Sequence, residues 1–126
     1  MNIISWDIRG FNNKGKLRSL KDKIAKYKPY IIILQETKMI ASKFVENSGH
    51  CWKNSEVMSI DVVGEARGIA IIWDPDKVSF KYWVSSRFTL SASFRSLGSH
   101  EWTSLTVVFG PSIPRDKDLF LLKLQA

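Results

Sequence analysis

The sequence predicts one α+β domain built around a mixed β-sheet. Three observations carry that reading. The first is a strand–helix–strand pattern over residues 2–35, and the second is a run of short alternating strands over residues 69–109. The third is composition: 126 residues that are 44% hydrophobic and 25% charged suit a single globular core and exclude a disordered chain.

Residues 2–8 read as a strand with Ile4, Trp6 and Ile8 on one face and Ile3, Ser5 and Asp7 on the other. Both faces stay mostly apolar until the C-terminal end, which predicts a central position. Residues 9–13 form a turn through Gly10 and two asparagines, with Asn13 placed to cap a helix. Residues 14–28 read as an amphipathic helix: Leu17, Leu20, Ile24 and Tyr27 make one stripe, and Pro29 stops it. Residues 30–35 are a short strand rich in isoleucine. A βαβ unit of this kind pairs its strands in parallel, with a right-handed crossover.

Residues 38–66 are polar and rich in Ser, Asn and Gly, with one strand predicted at 57–63. Residues 69–73 form a buried strand closed by the turn Asp74-Pro75-Asp76. Alternation then predicts strands at 78–85, 88–95 and 102–109, antiparallel and closely connected. Pro111 and Pro114 break the chain, and a final helix is expected over 116–125, with Leu119, Phe120, Leu122 and Leu124 as its apolar residues.

Charge is unevenly placed. Of 19 basic and 12 acidic residues, 11 basic and 4 acidic fall in residues 1–53, so the whole net charge of +7 lies there. A local excess of this sort points to a polyanionic partner or to one solvated helix face. The single cysteine, Cys51, rules out an internal disulfide framework and fits a reducing, intracellular compartment. The longest aliphatic run, Ile31 to Leu34, is too short to cross a membrane, so no membrane partner is expected.

Asp7 ends the first strand and Glu36 follows the second. Parallel strands of a βαβ unit finish at the same edge, where ligands bind in layered α/β folds. Two carboxylates meeting there suit a hard cation such as Mg²⁺; the competing reading is two strand-end acids facing water. Among the cations, Lys21, Lys23, Lys26 and Lys28 read as a solvated helix face. Arg9, Lys14 and Lys38 flank the strand ends and are the candidates for phosphate contact.

Ser5-Trp6-Asp7-Ile8-Arg9-Gly10 followed by Leu34-Gln35-Glu36-Thr37-Lys38 resembles the endonuclease/exonuclease/phosphatase superfamily. In particular it is similar to the nuclease domain of LINE-type (non-LTR) retrotransposons, with their S-W-N-x-R-G and L-Q-E-T-K patterns. Gly68 to Asp74 is similar to the family's third strand, and Val107-Val108-Phe109-Gly110-Pro111 to its N-V-Y-G-P. The segment with Arg115 and Leu119-Phe120 resembles the stretch that follows.

The resemblance implies half of a four-layer α/β/β/α sandwich of the DNase I-like kind. It implies phosphodiester cleavage of DNA with Mg²⁺ or Mn²⁺, the metal held by Glu36. It also implies a nuclear site of action and a reverse transcriptase region in a longer parent protein. Two positions depart from the pattern. Asp7 stands where the family has an asparagine, which adds negative charge or supplies a second metal ligand. Phe109 stands at a tyrosine position and has lost the hydroxyl. The 126 residues contain neither the family's D-x-N nor its S-D-H, and His50 and His100 match no family position. The expectation is a truncated, degenerate nuclease domain of little or no activity, or else a non-catalytic nucleic-acid-binding remnant. A half-domain is also expected to expose apolar surface, with Trp73, Trp83, Trp102 and Phe109 as candidates.

Overall fold

A computed structural model describes residues 1–11, 14–38, 41–60, 68–86, 89–108 and 120–123. In chain order they form β1 (Asn2–Asp7), α1 (Lys14–Tyr27), β2 (Ile31–Gln35), α2 (Ala41–Cys51), β3 (Glu56–Ile60) and β4 (Ile69–Trp73). Then follow β5 (Val78–Ser85), β6 (Thr89–Ser96), β7 (Thr103–Val108) and β8 (Phe120–Lys123). A five-stranded sheet has the order β3-β4-β2-β1-β8, and a three-stranded antiparallel sheet the order β5-β6-β7. β1 and β2 are parallel, and the other neighbours in both sheets are antiparallel. The mixed sheet and its βαβ start are as the sequence predicts.

Strand alternation sorts the core into two layers. Ile3, Ile31, Ile33, Ile69 and Ile71 face the second sheet, which answers with Val78, Leu90, Ala92 and Phe94. Trp73 joins the sheets, stacked on Phe80 at 4.9 Å and edge-on to Phe94 at 5.3 Å between ring centroids. On the other face Ile4, Trp6, Ile32, Leu34 and Ile72 pack with Leu20 of α1 and Phe44 of α2. The result is a helix–sheet–sheet sandwich, with the first sheet buried on both sides.

Helix α1 packs the predicted stripe: Leu20 is fully buried, and Leu17, Ile24 and Tyr27 are half-buried against the same cluster. Lys28 takes the left-handed conformation (φ 48°) just past the helix end, and Pro29 prevents continuation. The Asn2 side chain donates to the Tyr27 carbonyl at 3.1 Å, satisfying one of the free acceptors there. Lys23 and Lys16 lie over the Trp6 ring at 4.3 and 5.6 Å. The charge pattern works against the helix: its first turn has no acid. Lys14, Arg18 and Lys21 repel one another at spacings of four and three residues, where each like-charge pair costs roughly 0.2–0.5 kcal/mol.

Two elements differ from expectation. Residues 41–51 are helical although the segment reads as polar and irregular. Its Asn, Ser and Gly are poor helix formers, and the compensation is tertiary: Phe44 is fully buried and packs on Phe11 with ring centroids 5.0 Å apart. The predicted helix over 116–125 is incorrect where the structure describes it, because Phe120–Lys123 is strand β8, with Asn2 opposite Lys123 and Ser5 opposite Phe120. The apolar spacing there fits either period. The free backbone groups of β1 favour the strand, since without β8 they would line an open edge. Residues 116–119 and 124–125 lie outside the described residues, as do 61–63 of the strand expected at 57–63.

The expected exposed apolar surface is present in part. Trp73 is buried, Trp83 and Trp102 are 45% and 40% exposed, and Phe109 lies outside the described residues. The outer face of the second sheet is largely polar: Ser91 pairs with Thr106 at 2.8 Å and Ser93 with Ser104 at 3.3 Å. Lys81 and Arg95 cover Trp102 at 5.2 and 5.0 Å. Among the described residues no helix is long and apolar enough to cross a membrane.

Ile71, at the middle of β4, is fully buried between the sheets. Urea unfolding should show that Ile71→Ala costs about 2–5 kcal/mol. Val84→Ala, at a site 57% exposed, should stay within about 0.5 kcal/mol. Equal effects would contradict the two-sheet core.

Candidate metal and phosphate site

The parallel register of β1 and β2 sets the site. Asp7 lies opposite Gln35 at the last ladder position, so Glu36 is the next residue past the neighbouring strand end. The pairing continues beyond both strands. Ile8 N–H donates to the Gln35 carbonyl at 3.0 Å, Gly10 N–H to Glu36 at 2.7 Å, and Phe11 N–H to Thr37 at 2.9 Å. Thr37 N–H in turn donates to the Gly68 carbonyl at 3.2 Å, fastening the entry of β4 to the same edge.

These bonds hold an unusual backbone. Arg9, Glu36 and Lys38 all have left-handed φ values, 53°, 54° and 53°, and Gly10 and Gly68 have φ of 104° and 100°. A side chain in that region costs about 1–2 kcal/mol, and such residues persist only where the surroundings over-determine them. Here three charged residues carry the strain at one sheet edge.

Asp7 is buried, with 7% exposure, and shares the Ile3 face that turns toward the second sheet. Glu36 is half-buried, and Arg9, Lys14 and Lys38 are exposed. Lys14 opens α1 on the chain leaving this edge. The structure therefore brings five of the predicted residues to one end of the βαβ unit, and the sixth, Phe109, lies outside the described residues. Sequence reasoning missed Thr37 as part of the site: its hydroxyl is buried and has no hydrogen-bond partner among the described residues. It also missed the Gly68 carbonyl, although Gly68 stands out in sequence as the glycine before β4.

The donor chemistry fits a hard divalent ion. Mg²⁺ takes oxygen ligands, keeps several waters, and is often held by one or two carboxylates together with substrate phosphate. Asp7 and Glu36 provide such a pair. Among the described residues no group of three or more His, Cys, Asp and Glu is gathered as a closed metal cage, so the remaining positions would fall to water and phosphate. His100 is exposed in the connection between β6 and β7. Burial pushes the Cys51 thiol up, with Lys21 pulling the other way, and its Sγ donates to the Leu17 carbonyl at 3.8 Å.

Residues 4–121 match the model of the Endonuclease/Exonuclease/phosphatase family. The chain belongs to that family. Solved structures agree on the fold, which is DNase I-like. The human Nocturnin catalytic domain with bound sulfate aligns at TM-score 0.65 and 12% identity, over 84% of this chain and 48% of that one. A humanized D. rerio TDP2 aligns at TM-score 0.63 and 18% identity, over 89% and 52%. The AP endonuclease LMAP from Leishmania major aligns at TM-score 0.61 and 14% identity, over 86% and 39%. No curated protein matches by sequence. The chain thus spans about half the length of the first two of these family structures.

The left-handed φ at Glu36 gives a direct test. Glu36→Gly relieves the backbone and Glu36→Ala does not. The Gly variant should be more stable than the Ala variant by about 1 kcal/mol or more in thermal melts, the reverse of the order on a regular strand or helix. If the Ala variant is the more stable, the strained edge is not real.

Proposed function

We propose that this chain carries the metal- and phosphate-binding portion of a divalent-metal phosphodiesterase site acting on DNA, of LINE-type retrotransposon descent, and that its own substitutions leave it little or no activity. The observation that carries this reading is the adjacency of Asp7 and Glu36 at the paired ends of β1 and β2. Glu36 is the principal ligand for Mg²⁺ or Mn²⁺, and Asp7 the second. When bound, the ion stabilises charge on the phosphate and on the leaving oxygen. Arg9 and Lys38, exposed beside these acids, neutralise flanking phosphates. Retrotransposon descent brings with it a nuclear site of action and a reverse transcriptase region in a longer parent protein.

Loss of activity follows from the site's own chemistry. An ionised Asp7 can only accept hydrogen bonds and places negative charge where a phosphate must approach. Phe109 has no hydroxyl to donate, and losing one donor aimed at developing charge costs roughly 10²–10³ in rate. A second reading, DNA binding without cleavage, is supported by the exposed Arg9, Lys14 and Lys38. It is also supported by a related structure, D. rerio TDP2 complexed with single strand DNA product (TM-score 0.57, 15% identity).

Incubation with supercoiled plasmid and Mg²⁺ separates the readings. The chain should bind plasmid and nick it at most in traces, and Phe109→Tyr, which restores one donor, should raise nicking by about 10². Vigorous nicking that Glu36→Gln abolishes would overturn the degenerate reading. Absence of both nicking and binding would overturn the DNA reading.

A further inference from the structure

The basic residues of α1 divide into two sets. Lys16 and Lys23 lie over the Trp6 ring and help to seat the helix on the sheet. Lys14, Arg18 and Lys21 do something else. They recur at spacings of four and three residues, so they share one face and span about 10 Å of helix. All three are exposed, and together with Gly15, Leu17 and Asp22 they line a groove of about 590 Å³. Gly15 adds no side chain to its lining.

The charges of this face are not neutralised. Asp22 is the sole acid among the seven basic residues of 14–28. Among the described residues no ion pair of Lys14, Arg18 or Lys21 is found; the pair that is found is Lys43–Glu46 on α2. The arrangement breaks two rules of helix stability at once, with cations in the first turn and like charges one turn apart. Local violations of that kind are expected where function sets the sequence.

We infer that the Lys14–Arg18–Lys21 face of α1 is a second nucleic-acid contact, which grips the sugar–phosphate backbone of duplex DNA along one strand. The face begins at the strand-end site with Lys14 and leads away from it, so Arg18 and Lys21 extend a phosphate track that Arg9 and Lys38 start. A straight, rigid row of cations suits the regular backbone of a duplex, and it reads charge, not sequence. Arg18 and Lys21 are therefore binding residues, although in sequence Lys21 reads as part of a solvated face. The inference rests on the DNA-binding reading above and not on the metal reading, because neither cleavage nor metal enters it. A chain that binds no duplex at all fails that reading, and one that binds with a slope insensitive to Arg18 and Lys21 fails this inference alone.

The test is fluorescence anisotropy of a short labelled duplex with the whole chain in EDTA, at salt from about 50 to 200 mM. Arg18→Gln with Lys21→Gln should weaken binding and lower the slope of log affinity against log salt by about 1.8, the release expected for two phosphate contacts. Lys26→Gln with Lys28→Gln removes equal charge at the far end of the helix and should leave the slope unchanged. Circular dichroism checks that both variants remain folded, and Arg18→Lys alone, which keeps the charge, should leave the slope unchanged. An unchanged slope in the first pair, or an equal fall in both pairs, would overturn the inference. So would tighter binding to a single strand of the same length, or loss of binding to phosphatidylserine vesicles with duplex binding intact.

Discussion

The rest of the molecule depends on the parallel pairing of β1 with β2. These two strands lie inside the five-stranded sheet, and their side chains build both cores, Ile3 and Ile31 toward the second sheet, Ile4 and Ile32 toward the helices. Parallel pairing requires a crossover, and α1 supplies it on the face that carries Trp6. The same pairing continues past the strand ends through three backbone hydrogen bonds, so the loops bearing Arg9 and Glu36 are held by the ladder and do not choose their own geometry. A one-residue slip of register would move Asp7 off its face and part it from Glu36.

Local cost accumulates at the edge where this frame ends. Arg9, Glu36 and Lys38 sit in left-handed backbone, Asp7 buries a carboxylate at the end of β1, and Lys14, Arg18 and Lys21 set like charges along one face of α1. Each feature opposes stability by about a kcal/mol or less to a few. The two apolar cores are large enough to carry them: a single fully buried Ile or Leu contributes about 1.5–3 kcal/mol, and Ile4, Ile8, Leu20, Ile31, Ile32, Leu34, Ile69, Ile71 and Ile72 are all fully buried. The split between a quiet core and a costly edge is what a site mounted on a scaffold requires.

Much of this was legible from residue pattern alone. β1, α1, β2, β4 and the β5–β7 meander follow from apolar period and from breakers such as Pro29 and Asp74-Pro75, and the shared edge of Asp7 and Glu36 follows from parallel pairing. What escaped was set by distant contacts. Phe44 makes α2 a helix by packing on Phe11 from another element, and no local propensity announces it. β8 is a strand because β1 has an edge to fill, a fact that lies more than a hundred residues away in sequence. The left-handed φ of Glu36 and the buried Thr37 hydroxyl are consequences of the extended ladder, and neither residue type betrays them. The grouping of Lys14, Arg18 and Lys21 along one groove escaped as well, because in sequence Lys14 reads with Arg9 and Lys38 and Lys21 with the solvated helix face.

The account stands on one claim, that the joined ends of β1 and β2 hold a divalent ion between Asp7 and Glu36. Titrating isotope-labelled protein with Mn²⁺ and reading paramagnetic broadening of backbone amides addresses it without any catalysis. Broadening should centre on Ile8, Gly10, Gln35 and Thr37, and Glu36→Gln should weaken it while the remaining spectrum is preserved. Broadening centred on surface acids such as Asp22, Glu46 or Glu101, or absent from the strand ends altogether, would contradict the claim.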